Sequence, residues 1–386
     1  MAPIVVQGSR GSSVQSTEDR AVRDVAASMF ELEPSAGPLT TIMMKIGSTS
    51  AHKPEFEWYE DELVPRFDKL GGSLTSSATT MTVANFKYFK NGHLVKIENQ
   101  EIVRVTATPT TSTVTIVRAF GTTAARAATS STGQLHIVGS AFEQGSVKSD
   151  MISTQKVQKT NFAQIHKTAW GQTNTEKHTT QHAGQDKTNE KSKNLIEHKR
   201  GIELASWHGE KKKVSTGTHD VLSSAGILSY IDTNIKDVGG ELTEAEFEDW
   251  LRLCFRYGSD EKFVFCSPKA IGVINSFSRG KLQTRTDEST YGVTMTKYQN
   301  AGRNVALIEN KLFTNDSLND LTEIAGYAVC LDLQDLKLRF MRGTVVSLEQ
   351  NIQVPGQDEM ISQYVSELGL QMSLEKKHGL MTGIES

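Results

Sequence analysis

His178 and His182 stand four residues apart, which on a helix would put two imidazoles on one face as in a metal pair. The Glu of an H-E-x-x-H arrangement is missing and no third ligand is evident, so the pair reads as polar residues of an extended segment. Glu55, Glu57, Glu60, Asp61 and Glu62 could gather around a cation. They read more simply as a solvated or intersubunit salt-bridging face. Lys187, Lys191, Lys193, Lys199 and Arg200 could meet phosphates, but Glu190, Glu197 and Glu203 are interleaved with them, so pairing along a helix is the expected role. Cys254, Cys266 and Cys330 sit in apolar surroundings without C-x-x-C or metal-type spacing and read as reduced core thiols. There is no G-x-x-x-x-G-K-[ST], G-x-G-x-x-G or G-x-S-x-G motif. No catalytic, cofactor-binding or metal residue is assigned, and the chain does not read as an enzyme.

The elements around these residues are better defined. Gln185 to Glu210 contains no Pro and one interior Gly, Gly201, and is dominated by helix formers. It is expected to form one long helix ending at Gly209, with Lys211, Lys212 and Lys213 beyond its C-terminus. Leu195, Ile196, Ile202, Leu204, Ala205 and Trp207 do not form one narrow stripe, so the helix is expected to lie between several elements. With 386 residues the chain can build two or three cores. An apolar fraction of 37% and a charged fraction of 23% are ordinary for a folded protein. A net charge of -3 argues against a dedicated DNA-binding protein, and no apolar run reaches membrane-spanning length.

In chain order, residues 1–18 read as a polar arm, followed by a short helix from Thr17 with Val22, Val25, Ala26, Met29 and Phe30 on one face. Pro34 and Pro38 end it. The apolar LTTIMMKIG and the aromatic–acidic KPEFEWYEDELVP follow. Residues 71–140 switch to period two at Leu94–Glu98, Ile102–Thr106, Val114–Arg118 and Leu135–Val138, with turn signals at Asn91-Gly92 and Thr108-Pro109, and read as a small β domain. Residues 141–184, with Phe162, Ile165 and Trp170 as scattered anchors, read as an extended arm that finds partners on another subunit. In the last region Thr243 and Glu246 form a capping box, Leu242 can staple onto Phe247, and Gly258 closes that helix. KFVFC is a strand, Ser267-Pro268 starts a further helix, and strands are expected around Gly292–Tyr298, Asn304–Ile308, Tyr327–Leu331, Leu336–Phe340 and Tyr364–Glu375. The pattern is α+β.

The order of these parts resembles the tailed-phage major capsid proteins of the Hong Kong 97 type, in the branch with a β domain inserted in the E-loop. The resemblance rests on Glu57-Trp58 with Asp61-Glu62, on Arg118 through Gly121-Thr122, and on Glu143-Gln144-Gly145. It continues with Asn161-Phe162-x-Gln164-Ile165, Ile196-Glu197 ending at Gly209, and Gly226-Ile227. It runs from about Arg20 onward. Where other members have Arg-Gly, this chain has Arg118-Ala119.

The resemblance implies a Hong Kong 97-like capsid fold with five parts. They are an N-terminal arm and helix (1–50), an extended E-loop region (51–184) carrying the β domain, a spine helix with peripheral domain (185–221), an axial α+β domain (222–340), and C-terminal strands returning to the peripheral domain (341–386). It further implies a structural protein forming hexameric and pentameric capsomers of an icosahedral phage head. That head would be assembled in the host cytoplasm and enclose double-stranded DNA, contacted non-specifically. Portal, scaffolding and decoration proteins are the other partners it implies; no cofactor and no membrane are implied. The start of the sequence shows no long charged helical segment, so no fused scaffolding region is expected. A nanocompartment shell of the same fold and a β-module tail or decoration protein are the alternatives.

Overall fold

The computed structural model describes residues 37–46, 48–98, 100–129, 133–179, 186–278, 285–290, 293–300, 303–313, 326–341, 343 and 345–385. The arm of residues 1–18, the helix expected from Thr17, and His182 lie outside them. Contacts divide the chain into two compact units, one of residues 1–57 and 160–386, the other Trp58–Lys159.

The smaller unit is a β-barrel. Strands Phe67–Lys69, Gln134–Ser140, His93–Ile97, Ile102–Val105, Thr113–Val117 and Thr80–Thr82 pair in that order. The two end strands then meet through the Leu70–Val83 bridge, with Gly71 N–H donating to Thr82 O and Ala84 N–H to Lys69 O. Closure leaves no long free edge. Val95, Ile97, Val103, Val105, Val114 and Ile116, one residue in two along their strands, fill the interior. The barrel thus begins before residue 71, because the short strand Phe67–Lys69 is needed to close it.

Among the described residues the larger unit holds two main sheets and five helices, α1 (Pro38–Ile46), α2 (Asn174–His178), α3 (Asp186–His208), α4 (Glu244–Cys254) and α5 (Pro268–Ser278). Pro38, expected to end a helix, opens one: it sits at the first helical position, where its missing N–H costs nothing. The seven-stranded sheet runs Ile235–Glu241, Gly379–Glu385, Ala328–Leu331, Glu261–Cys266, Arg303–Glu309, Val293–Asn300, Arg285–Thr290. Its central strands are apolar runs because both faces are covered. Phe265, Ala306, Ile308, Val329 and Leu331 enter a core with α1 and Trp207 of α3. Their neighbours Val264, Cys266, Val305, Leu307 and Cys330 enter a second core under α4 and α5.

The other sheet centres on the long strand Glu359–Met372. Leu336–Phe340 and Ser347–Gln350 pair along one side of it, Ser48–Ser50 adds to Leu336–Phe340, and Gln164–Thr173 covers the opposite side. These pairings correct two expectations. Residues 141–184 are not wholly an arm awaiting another subunit, since Gln164–Thr173 pairs over all ten residues within its own chain. Nor do the sheets divide at residue 340: Leu336–Phe340 joins the second sheet, while Gly379–Glu385 lies inside the seven-stranded one.

Candidate assembly surfaces

Three of the segments behind the family resemblance, those at Asn161–Ile165, at Gly209 and at Gly226-Ile227, converge on the end of α3. Gly209 follows the helix and accepts a 2.7 Å hydrogen bond from Gly226 N–H. Any Cβ would collide here: at Gly209 it would lie 2.4 Å from Ser224 O, and at Gly226 2.7 Å from Trp207 O. Asn161 is fully buried beside this contact. Its Nδ2 donates to Ser224 Oγ (3.1 Å), Ala225 O (3.2 Å) and Leu370 O (2.6 Å), and its Oδ1 accepts from the Phe162 and Ala225 N–H groups. Gln164 Oε1 accepts from Ser224 N–H. Asn161, Gln164, Gly209 and Gly226 therefore form one hydrogen-bonded joint, and their spacing in the sequence reflects that joint rather than a reaction.

Glu203 does not pair with the helix lysines, as its spacing had suggested. It turns inward and is fully buried at the N-terminus of α1, accepting from Leu39 N–H (3.1 Å), Thr40 N–H (2.7 Å), the Thr40 hydroxyl and Trp207 Nε1–H (3.0 Å). A carboxylate there satisfies amides that a helix leaves free and meets the positive end of its dipole. Burial still raises its pKa, against these hydrogen bonds. Gly37 is required beside it, since a Cβ would fall 2.1 Å from Glu203 Cδ. Of the expected helix pairs, Lys193 and Glu190 stand 3.6 Å apart on the exposed face.

In the barrel, Glu101 is fully buried and organises the Arg118 loop. Arg118 donates Nε–H to Oε1 (2.7 Å) and Nη2–H to Oε2 (2.6 Å), while Ala119 and Arg126 N–H donate at 3.0 and 3.1 Å. Burial alone would raise the Glu101 pKa; the Arg118 guanidinium and the two amides hold it below the carboxylate range. Ala119 has φ +51°, the left-handed region, which explains why glycine suits this position. In the larger unit Lys262, also fully buried, donates to the carbonyls of Cys254 (2.7 Å), Tyr257 (2.9 Å) and Lys377 (2.5 Å), tying the end of α4 to the turn before the last strand. His378 Nδ1 accepts from Asp332 N–H (3.2 Å), and burial lowers its pKa to about 4. Glu101, Lys262 and His378 carried no sequence signal.

Of the residues weighed for chemistry, His178 ends the five-residue α2. Among the acidic residues, Glu60 accepts from Trp58 Nε1–H and Asp61 from the Thr154 hydroxyl. Cys254, Cys266 and Cys330 are buried thiols, and burial pushes the pKa of Cys254 and of Cys266 up. Among the described residues no group of three or more His, Cys, Asp or Glu could hold a metal ion.

The exposed surface carries the binding potential. The strand Gln164–Thr173 ends its sheet, and among the described residues no backbone group pairs with its outer side along Ile165–Thr173. Ile165, half exposed on this strand, lines a cavity of about 650 Å³ with Phe162, Val221 and Leu222 of the larger unit. A long unpaired edge beside apolar surface is a template for another chain.

A profile of the SU10 major capsid protein family matches residues 7–385. A major capsid protein of Pseudomonas phage PaMx41 is 22% identical over 343 residues, 84% of this chain and 79% of that protein. The capsid protein in a native GTA particle computed with C5 symmetry has the same fold. It superposes with a TM-score of 0.52 at 8% identity over 98% of this chain and 100% of the other.

Proposed function

The chain belongs to the SU10 major capsid protein family and is a phage major capsid protein, and from that premise we propose how its parts build a head. The barrel unit is the domain inserted in the extended loop, α3 is the spine, and the sheet around Glu359–Met372 with α1 forms the peripheral domain. The seven-stranded sheet with α4 and α5 forms the axial domain at the capsomer centre. Copies join as hexamers and pentamers into an icosahedral shell around double-stranded DNA, touched without sequence preference, as the net charge of -3 suits. Portal, scaffolding and decoration proteins complete the head. No described helix is long and apolar enough to cross a membrane.

The observation that carries self-assembly is the free edge at Gln164–Thr173, since leaving such an edge exposed invites pairing with another chain. Electron microscopy of the purified protein, with and without a crowding agent, tests the reading. Thin-walled shells or rings of five and six copies are expected. Monomers or dimers at every concentration would overturn it. Nuclease-protected double-stranded DNA in particles from infected cells separates a phage head from a nanocompartment.

A further inference from the structure

The barrel unit carries a pocket that neither its core nor the assembly reading uses. The cavity, about 420 Å³, opens where Arg66, Tyr88, Lys90 and His93 meet Ser140 at the end of the strand Gln134–Ser140. Leu63, Val64, Ile137 and Ile152 supply apolar wall, and no Asp or Glu lines it.

The cations are only partly engaged. The Arg66 guanidinium makes no hydrogen bond or ion pair among the described residues, and Lys90 Nζ reaches one backbone carbonyl, that of Asp150, at 3.3 Å. His93 uses Nδ1 to accept from Lys90 N–H at 3.4 Å, which leaves Nε2 for the cavity. We propose that this pocket is an oxyanion-binding site, taking a carboxylate or phosphate group carried on a small apolar body. Arg66 supplies a planar fork for two oxygens, Lys90 a point charge, and Tyr88, His93 and Ser140 neutral hydrogen bonds, while the aliphatic wall holds the rest of the ligand. Burial, then Lys90, then Arg66 lower the His93 pKa, so both cations are felt at the same imidazole.

Ligand-observed NMR on the full-length, unassembled protein at low salt tests the site, with inorganic phosphate, 3-phenylpropionate and the uncharged 3-phenylpropanol as probes. One saturable site for an anion is expected, with 3-phenylpropanol not bound. R66A should weaken it about tenfold or more, as loss of a charge-assisted contact implies. R200A, on the exposed face of α3, should change it less than about twofold. Circular dichroism of R66A should match the wild type, since Arg66 is exposed. Phosphate binding as well as 3-phenylpropionate would assign the site to a bare oxyanion, and tighter 3-phenylpropionate to an apolar carboxylate. Both support the proposal. No saturable binding, or binding that R66A leaves unchanged, overturns it, and neither outcome bears on shell formation.

Discussion

The buried Arg118–Glu101 pair gives the sharpest test of how the barrel is held. Glu101 offers two oxygens to four donors: Oε1 takes Arg118 Nε–H and Ala119 N–H, and Oε2 takes Arg118 Nη2–H and Arg126 N–H. E101Q preserves the shape but converts one oxygen into an amide donor. Whichever way the amide turns, two protein donors then face a third. Each orphaned donor costs about 1–3 kcal/mol, so the substitution should cost about 3 kcal/mol, a large share of a barrel of this size. At about 1.4 kcal/mol per decade that is roughly a hundredfold. Hydrogen exchange on the full-length protein should show the loss across His93–Ile97, Ile102–Val105 and Thr113–Val117, with the strand Glu261–Cys266 unaffected. Replacing both partners, E101L with R118M, should recover part of it, because no charge is then left buried alone. A change under about threefold in E101Q, or one spread equally through both units, would refute the reasoning.

A119G should raise barrel stability by about 0.5–1 kcal/mol, read from the same exchange experiment, because it relieves a left-handed alanine at some entropic cost. T243A removes the hydroxyl that accepts from Glu246 N–H and should cost about 1 kcal/mol, seen as a lower melting temperature of unassembled protein. His378 has a folded pKa of about 4 against 6.5, so its contribution is complete above 6.5 and is lost as pH falls from there toward 4. The shift corresponds to about 3 kcal/mol at most, and urea midpoints across this range should fall less steeply in H378Q. Excising residues 61–156 and bridging the cut with a short Gly/Ser linker should leave exchange protection across residues 235–385 intact. Lost protection there would make the barrel part of the common core.

What could be read from the sequence is what its neighbours in the chain decide. The capping box of Thr243 and Glu246, with both hydrogen bonds present, is complete within four residues. Val95, Ile97, Val103 and Val105 announce their strands because one face is buried and the other wet. KFVFC lacks alternation for the opposite reason, both of its faces being covered. Phe67–Lys69 and Thr80–Thr82 are too short to show a period at all. The inward turn of Glu203 is not legible in the sequence because Leu39 and Thr40, whose amides it accepts from, are more than 160 residues away. Lys262 likewise depends on a carbonyl 115 residues distant. The basic pocket is invisible in the sequence because Arg66, Lys90 and Ser140 are brought together only when the barrel closes.

The seven-stranded sheet also sets an order of events during synthesis. Gly379–Glu385, made after every other strand of the sheet, lies between Ile235–Glu241 and Ala328–Leu331, pairing in parallel with one and antiparallel with the other. Until that strand leaves the ribosome, Ile235–Glu241 has no place in the sheet. The barrel, by contrast, has all its strands by residue 140. A nascent chain can therefore carry a finished barrel while its larger unit stays open, since non-local pairings are the slow ones to form.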